Sequence, residues 1–400
     1  MKKCVCREAL LTLVGIALAS CSSVSKIQHE PTVTDQQLLS GDVFAPPADK
    51  DLRSAFEVFA ISPDIAHFLA DNVTSQGDER IFDDLIDAME SFGIRHLTYD
   101  NQTLTASEAF EQRRGNCLTF TSMFLVMARR VGLNARFQEV RIPPDWIKQG
   151  NMMVLRWHVN VFIRLVGKGM TLEGKGERVV DFDDEVSPSG FIDSVISDER
   201  ALAHFYNNWA VESLENSDDN LAFAYLRKAL QEGDSNFAPA WSLVGVMYQR
   251  AGRMELAEQA YLRALQADPR ETFVMSNLQR LYERQGRTEL SNHYHGQVLR
   301  HRLKNPYFRL SEARKANAGG DYRTAIEQLR KAIKLKSDES AFYFLLAESY
   351  IGNGDLQKAA DYHAKGKKLA AKNYQITERG HDNRGRRLVK PKAPGKPADL

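Results

Sequence analysis

The sequence is poor in cysteine, in net charge and in long apolar runs. Only four of its 400 residues are cysteines, and three of these lie within the first 21 positions. The 53 basic and 52 acidic residues nearly cancel, so a net charge of +1 gives no reason to expect nucleic acid as a partner. No metal-ligand cluster, phosphate-binding loop or Ser-His-Asp set stands out, so neither a metal nor a cofactor is expected.

The first 20 residues have the pattern of a secretory signal peptide. A basic start is followed by an apolar run, Ala9 to Ala19, that is too short to cross a bilayer. The run ends in Leu18-Ala19-Ser20-Cys21, which resembles a bacterial lipobox. That resemblance implies cleavage before Cys21, lipidation of its sulfur, and, with Ser22 next, anchoring in the outer membrane facing the periplasm. The alternative is an ordinary cleaved signal peptide.

Cysteine use then singles out one residue. Cys4 and Cys6 would leave with the signal peptide and Cys21 would carry lipid, which leaves Cys117 as the only free thiol. A structural cysteine in an oxidising compartment usually has a disulfide partner. The lone thiol therefore favours a chemical role.

Cys117 lies at the start of a predicted helix within residues 114–136, "RGNCLTFTSMFLVMARRVGLNAR". Apolar residues recur there at helical spacing, Asn116 is a good N-cap, and Gly132 stands where a left-handed C-cap would be. On the first turn of a helix the unpaired N–H groups and the helix dipole favour a thiolate, the nucleophilic form of cysteine. The alternative is a small apolar core cysteine.

The surrounding pattern predicts an α+β domain over residues 51–198, after a polar, flexible tether at 21–50. Helices are expected at the following ranges: 55–73, 79–92 and 105–113, the last capped by Thr105. Strands are expected at 137–142, 154–166 and 179–182.

Cys117, His158 and Asp181 follow one another in this domain, separated by 41 and 23 residues. Neighbouring antiparallel strands can place a histidine beside an aspartate, with the sheet packed across the helix start. A thiolate nucleophile, an imidazole that moves its proton and a carboxylate that fixes the imidazole are the groups of thiol acyl transfer. The Cys117 N–H, with Gln112 or Gln102, is a candidate oxyanion hole. Alternatively, His158 is a structural strand histidine and Asp181 caps a turn before Asp183 and Asp184.

These residues carry a family resemblance. The segments around the three, "TASEAFEQRRGNCLTFTSMFLVMARRVGLNARF", "WHVNVFI" and "VVDFDDE", are similar to the transglutaminase-like superfamily, whose core is papain-like. The resemblance covers roughly residues 55–190 and implies that Cys117, His158 and Asp181 are the catalytic residues. Two departures are Asn160, where the family often has an aromatic residue, and a rather long loop between the histidine and the aspartate.

From about residue 201 the chain is predicted to be helical and repetitive. Glycines recur every 34 residues, at positions 252, 286, 320 and 354, and the unit 238–271 resembles the tetratricopeptide repeat (TPR). We expect about five units over residues 201–374, forming an all-α TPR solenoid with a concave face that binds a protein or peptide. A disordered basic tail is expected over 375–400, where binding to anionic lipid or wall polymer is a minor alternative.

Two functions remain open at this stage. One is a lipid-anchored envelope enzyme that performs thiol acyl transfer or amide hydrolysis on a protein or peptide recruited by the repeats. The other is a non-catalytic adaptor in which the repeats bind partners and the papain-like domain is inactive.

Overall fold

The computed structural model describes residues 30–93, 97–141, 148–149, 152–153, 157–165, 176–182 and 192–379. The predicted signal peptide, the lipidation site Cys21, the first part of the tether and residues 380–400 of the tail lie outside these residues. Within the part of the chain that is described, no helix has the length and apolarity needed to cross a bilayer.

The N-terminal half contains six α-helices, one 3-10 helix at Asp49–Asp51 and eight strands within its described residues. In chain order the α-helices and strands are α1 Asp35–Leu38, α2 Ala55–Phe59, α3 Pro63–Asn72, α4 Asp78–Phe92, β1 Thr98–Tyr99, α5 Ala106–Gln112, β2 Arg114–Gly115, α6 Cys117–Arg130, β3 Asn134–Arg141, β4 Lys148–Gln149, β5 Met152–Met153, β6 Trp157–Arg164, β7 Glu177–Val180 and β8 Ile192–Val195.

The main sheet is antiparallel and has the strand order β7-β6-β3-β8. Its register places Val140 of β3 opposite His158 of β6, and Val161 of β6 opposite Val180 of β7. Strands were expected at the positions of β3, β6 and β7, but β8 was not predicted; its partner β3 lies more than 50 residues earlier in the chain. Helix α6 packs against β6 and β3 on the side that carries Val161 and Phe137.

The predicted helix 55–73 is in fact two helices. Helix α2 ends at Phe59, and Ser62 then caps α3, in which Pro63 occupies the first position. A proline suits that position because the first N–H groups of a helix have no intrahelical acceptor. The predicted helix at 79–92 is confirmed as α4, and Thr105 forms a capping box with Glu108 at the start of α5.

The predicted flexible tether is wrong from residue 30 onward. Residues 30–52, which we call the N-terminal strap, pack against the helices that follow the sheet. Leu38 is fully buried and its carbonyl accepts a hydrogen bond from Tyr248 Oη at 2.7 Å. Asp35 pairs with Arg263 at 2.8 Å, and Phe44 stacks on Phe223 with ring centroids 4.6 Å apart. The polar composition concealed these few apolar anchors, which contact residues about 200 positions away.

The second half is helical, as predicted. Its helices are α7 Asp198–Glu215, α8 Asp219–Lys228, α9 Ala238–Arg250, α10 Met254–Ala267, α11 Thr272–Arg284, α12 Thr288–Leu303, α13 Pro306–Ala318, α14 Tyr322–Leu335, α15 Ser340–Gly352 and α16 Leu356–Arg379, with one π-helical turn at Ala229–Gly233. Consecutive helices pack in pairs, from α7 with α8 to α15 with α16. Helix α16 runs past residue 375, where the disordered tail was expected to begin.

The periodic glycines lie in the turns within these pairs. Gly252, Gly286, Gly320 and Gly354 all have φ between +69° and +83°. The residue after each of them donates its N–H to a carbonyl of the preceding helix, as Arg253 does to Tyr248 at 2.8 Å. A left-handed residue at this point favours glycine, which explains the spacing seen in the sequence.

The two halves are joined by packing rather than by a linker. One continuous hydrophobic cluster extends from Leu38 through the sheet and α7 to Val298 of α12, and a second one begins at Leu310. In α7, Phe205 contacts Phe59 of α2 edge to face, with centroids 6.3 Å apart. The hydrophobic core is therefore not divided near residue 198, where a domain boundary was expected. It is divided between α12 and α13.

Candidate active site

Asn116 fixes the start of the helix that carries Cys117. Its side-chain oxygen accepts the N–H of Thr119 at 2.9 Å, as expected for an N-cap, and its amide donates to Thr103 Oγ1 at 2.7 Å. Every residue of α6 from Leu118 to Ala128 is buried, but Cys117 is only partly buried. The sulfur thus lies at the N-terminus of a helix that is otherwise largely buried in the core.

Gly115 allows the backbone to enter this helix. It has φ +148°, and a Cβ at this position would lie 2.5 Å from Thr119 Cγ2. The short parallel pair of β1 and β2, in which Tyr99 lies opposite Gly115, holds the incoming chain. A side chain at position 115 would displace the first turn of α6 and with it Cys117.

Helix α6 also positions the strand that carries the histidine. Thr121 Oγ1 donates a buried hydrogen bond of 2.9 Å to the carbonyl of Val159, the residue after His158. The His158 side chain is 1% exposed. The side chains of Val159 and Val161 lie in the hydrophobic core, and by strand alternation His158 and Asn160 share the opposite face of β6.

Asp181 follows directly after β7, one residue beyond the strand on which it was predicted. Its Oδ1 lies 2.7 Å from His158 Nε2, and its Oδ2 accepts a 3.2 Å hydrogen bond from Asn160 Nδ2. The next residue, Phe182, packs on Phe120 and Phe124 of α6. Helix α6 is therefore the common support for the histidine strand and for the carboxylate.

The imidazole of His158 lies between the carboxylate of Asp181 and the sulfur of Cys117. Burial of the ring lowers its pKa, but hydrogen bonds with Asp181 and Cys117, together with the charges of both groups, raise the pKa of His158 to about 10. Because Asp181 takes Nε2, the ring nitrogen available to the sulfur is Nδ1. A histidine with such a pKa keeps its proton at neutral pH, next to a cysteine at a helix N-terminus.

The structure thus brings Cys117, His158 and Asp181 together, in the order sulfur, imidazole, carboxylate. Gln102 and Gln112, which were expected to help bind an oxyanion, are not shown in contact with the three residues. Gln112 Oε1 accepts from Arg114 Nε at 3.1 Å, and both glutamine side chains are exposed. The backbone N–H of Cys117 lies in the first turn of α6, where N–H groups have no acceptor within the helix.

Sequence reasoning missed the residues that support this site. Asn160 was noted only as a departure from the family pattern, but it holds the second oxygen of Asp181. Thr103 was not singled out at all, and no local pattern distinguishes it, since its partners are brought to it by the fold. Among the described residues no group of three histidine, cysteine, aspartate or glutamate side chains could hold a metal ion.

Comparison with protein families gives separate matches for the half of the chain that contains the sheet and for the helical half. The model of the transglutaminase-like superfamily matches residues 68–169, which include Cys117 and His158 but end before Asp181. Two tetratricopeptide-repeat models match residues 238–271 and 310–373. No curated protein sequence matches the chain.

Solved structures show only a distant likeness. MamA from Desulfovibrio magneticus RS-1 is 16% identical, with a TM-score of 0.24, over 43% of this chain and 96% of that one. PilF of Pseudomonas aeruginosa is 19% identical, with a TM-score of 0.26, over 47% and 86%. BtubC from P. vanneervenii is 18% identical, with a TM-score of 0.25, over 51% and 87%. Scores of this size say nothing about what this chain binds. The family matches and the fold together show a transglutaminase-like domain followed by tetratricopeptide repeats.

Proposed function

We propose that this chain is a cysteine enzyme of the cell envelope that cleaves or transfers an amide-bonded acyl group of a protein or peptide. The family matches support a protein-interacting, cysteine-enzyme-like protein. The single observation that carries the proposal is the position of the His158 ring, which is hydrogen-bonded through Nε2 to Asp181 and lies close enough to Cys117 for the thiol to raise the pKa of the ring. A histidine that served only to stabilise the strand would not need the thiol.

The geometry supports a two-step reaction. The Cys117 sulfur attacks the carbonyl carbon of the amide, and the resulting oxyanion accepts the Cys117 N–H. The proton on His158 passes to the leaving amine as the C–N bond breaks, which leaves a thioester on Cys117. An acceptor then attacks the thioester, His158 takes the proton of that acceptor, and the thiolate leaves. Water as the acceptor gives hydrolysis, which we favour on a peptide or isopeptide bond, and an amine gives cross-linking.

Asp181 and Asn160 keep the imidazole ready for both proton transfers. The Asp181 carboxylate holds the Nε2 proton, so Nδ1 is the nitrogen that exchanges a proton with the sulfur or the amine. The bond from Asn160 to the second oxygen limits rotation of that carboxylate. Asp181 acts on the ring and Asn160 acts on Asp181, and neither needs to contact the substrate.

The repeats indicate protein–protein interaction, and we propose that their concave face recruits the substrate. We also propose that Cys21 carries the lipid that holds the protein in the outer membrane, facing the periplasm. This anchoring rests on the lipobox-like sequence at 18–21. If it holds, Cys21→Ala gives protein that leaves the detergent phase; continued partition of this variant into detergent would contradict the anchor.

The reactivity of Cys117 tests the enzyme proposal without knowledge of the substrate. Iodoacetamide labelling of the full chain is followed against pH on the peptide that contains Cys117, in the wild type, His158→Ala and Asp181→Asn. The exposed His363→Ala on α16 is the control. We expect labelling at pH 6 to fall about tenfold in His158→Ala, because the imidazolium that stabilises the thiolate is gone, and to be unchanged in His363→Ala. Equal rates and equal pH midpoints in the wild type and His158→Ala would overturn the enzyme proposal and leave the adaptor.

A further inference from the structure

A short buried loop is hydrogen-bonded both to the first turn of α6 and to α7, the first helix after the sheet. The loop is formed by Thr103 and Leu104, which are 2% and 6% exposed and precede α5. Every hydrogen-bonding group of Thr103 is used, and its partners come from two different parts of the chain. Because Asn116 and Trp209 are both buried, we expect a shift on one side of the loop to be transmitted to the other.

On the side of the site, the loop holds the N-terminus of α6. Asn116 Nδ2 donates to Thr103 Oγ1 at 2.7 Å, and the N–H of Leu104 donates to Thr119 Oγ1 at 2.9 Å. Asn116 is the N-cap residue and precedes Cys117. The direction of the Asn116 side chain, and hence of the first turn, depends on where Thr103 is held.

On the other side, two residues of α7 hold Thr103. Trp209 Nε1 donates to the Thr103 carbonyl at 2.7 Å, and Glu212 Oε1 accepts the Thr103 N–H at 2.8 Å. The Trp209 ring is 4% exposed and carries the guanidinium of Arg53 at 4.9 Å from its centroid. Both contacts join residues more than 100 positions apart, so the fold of the second half is required to make them.

We propose that α7 is a positioning element of the active site, in which Trp209 acts through Thr103 on Asn116 and so sets the direction of Cys117 toward His158. This inference rests on the proposed function, because it concerns the reactivity of the same thiol. Trp209 contacts neither the sulfur nor the imidazole, and its effect is exerted along the hydrogen-bonded chain Trp209, Thr103, Asn116.

The test compares two buried tryptophans that make the same kind of bond. Trp209→Phe keeps an aromatic ring in the core but removes the donor to Thr103. Trp241→Phe is the matched control, since Trp241 of α9 is fully buried and donates to the Ser235 carbonyl at 2.8 Å, within the repeats. We expect labelling of Cys117 by iodoacetamide at pH 6 to fall about fivefold in Trp209→Phe, the factor that corresponds to one buried hydrogen bond, and to be unchanged in Trp241→Phe.

A coupling experiment separates positioning from general loss of stability. The same labelling rate is measured in Asn116→Ala and in the double variant Asn116→Ala/Trp209→Phe, with thermal unfolding midpoints of all variants. If Trp209 acts through Asn116, the second substitution adds no further loss of rate once the first is present. Rates that multiply in the double variant, or an equal loss in Trp241→Phe, overturn the proposal.

The outcome remains informative if the enzyme proposal fails. A loss of reactivity in His158→Ala with no loss in Trp209→Phe would refute the role of α7 and leave the catalytic proposal intact. No loss in His158→Ala would refute the catalytic proposal itself.

Discussion

Asp181 Oδ1 lies 2.7 Å from His158 Nε2, and the ring is almost completely buried while the carboxylate is about a quarter exposed, at 1% and 26% of their side-chain surfaces. Burial alone would disfavour the charged form of the His158 ring, and the pairing with the partly exposed carboxylate offsets that cost. This relationship connects the chemistry of the site with the pH dependence of the fold.

The first prediction concerns the stability of the protein at alkaline pH. The pKa of His158 is raised from 6.5 to about 10 in the folded chain. Its contribution to the free energy of unfolding is therefore fully present below pH 6.5 and is lost as the pH rises toward 10. We expect denaturant unfolding at several pH values to show this loss in the wild type and much less of it in Asp181→Asn. Parallel curves for the two proteins would contradict the pairing.

A second prediction concerns acid and involves Glu139, which joins the sheet to α7. Glu139 is 3% exposed, lies 2.6 Å from His204 Nε2 and accepts from Arg200 Nε at 3.1 Å. Burial alone would raise the pKa of Glu139, but the hydrogen bond and charge of His204, with the charge of Arg200, lower it to about 2. Its contribution is thus present above pH 4.5 and is lost as the pH falls toward 2.

Glu139→Gln tests this assignment by leaving Arg200 and His204 without their buried carboxylate. We expect a loss of about 3 kcal/mol in the free energy of unfolding at pH 7, as for a broken buried ion pair. The difference from the wild type should shrink between pH 4.5 and 2. The half-exposed Glu177 on β7 is the control, and Glu177→Gln should change little at any pH. A constant difference across the acid range would show that Glu139 is not the titrating group.

The third prediction concerns the glycine before the nucleophile. Gly115→Ala should cost about 3 kcal/mol of unfolding free energy, because the new Cβ meets Thr119 and the backbone conformation disfavours it. Gly132→Ala, at the other end of α6, meets nothing within 4 Å and should cost only about 1 kcal/mol for its positive φ. Labelling of Cys117 should fall in Gly115→Ala alone. Equal effects on labelling in both variants would mean that the entry into α6 does not control the thiol.

The fourth prediction tests the N-terminal strap. Leu38 is fully buried, so Leu38→Ala should lower the free energy of unfolding by about 2 to 5 kcal/mol. Phe56, which is 80% exposed, is the control, and Phe56→Ala should change the stability by no more than about 0.5 kcal/mol. A flexible tether would instead make Leu38→Ala silent, and that result would contradict the packing of the strap.

Structural features that depend on neighbouring residues could be predicted from the sequence, whereas features that depend on distant contacts could not. The helix around Cys117, its Asn116 cap and the periodic turn glycines depend on neighbours within a few residues, and each was predicted correctly. Strand β8 and the strap depend on partners far along the chain, and both were missed. In the site, His158 and Asp181 could be placed from strand alternation and family resemblance. Asn160 and Thr103 could not, because their roles depend on contacts that only the folded chain creates.

The continuous core that extends from the sheet into the helices as far as α12 limits which segments of such a chain can be exchanged during evolution. Replacement of α7 and the helices packed on it by those of another protein would uncover apolar residues of the N-terminal half, such as Phe59, so we expect these parts to be inherited together. The last four helices, α13 to α16, have a hydrophobic cluster of their own. We expect exchange or loss of that end to leave the rest folded, so that new recognition can arise there with the least effect on the stability of the remainder.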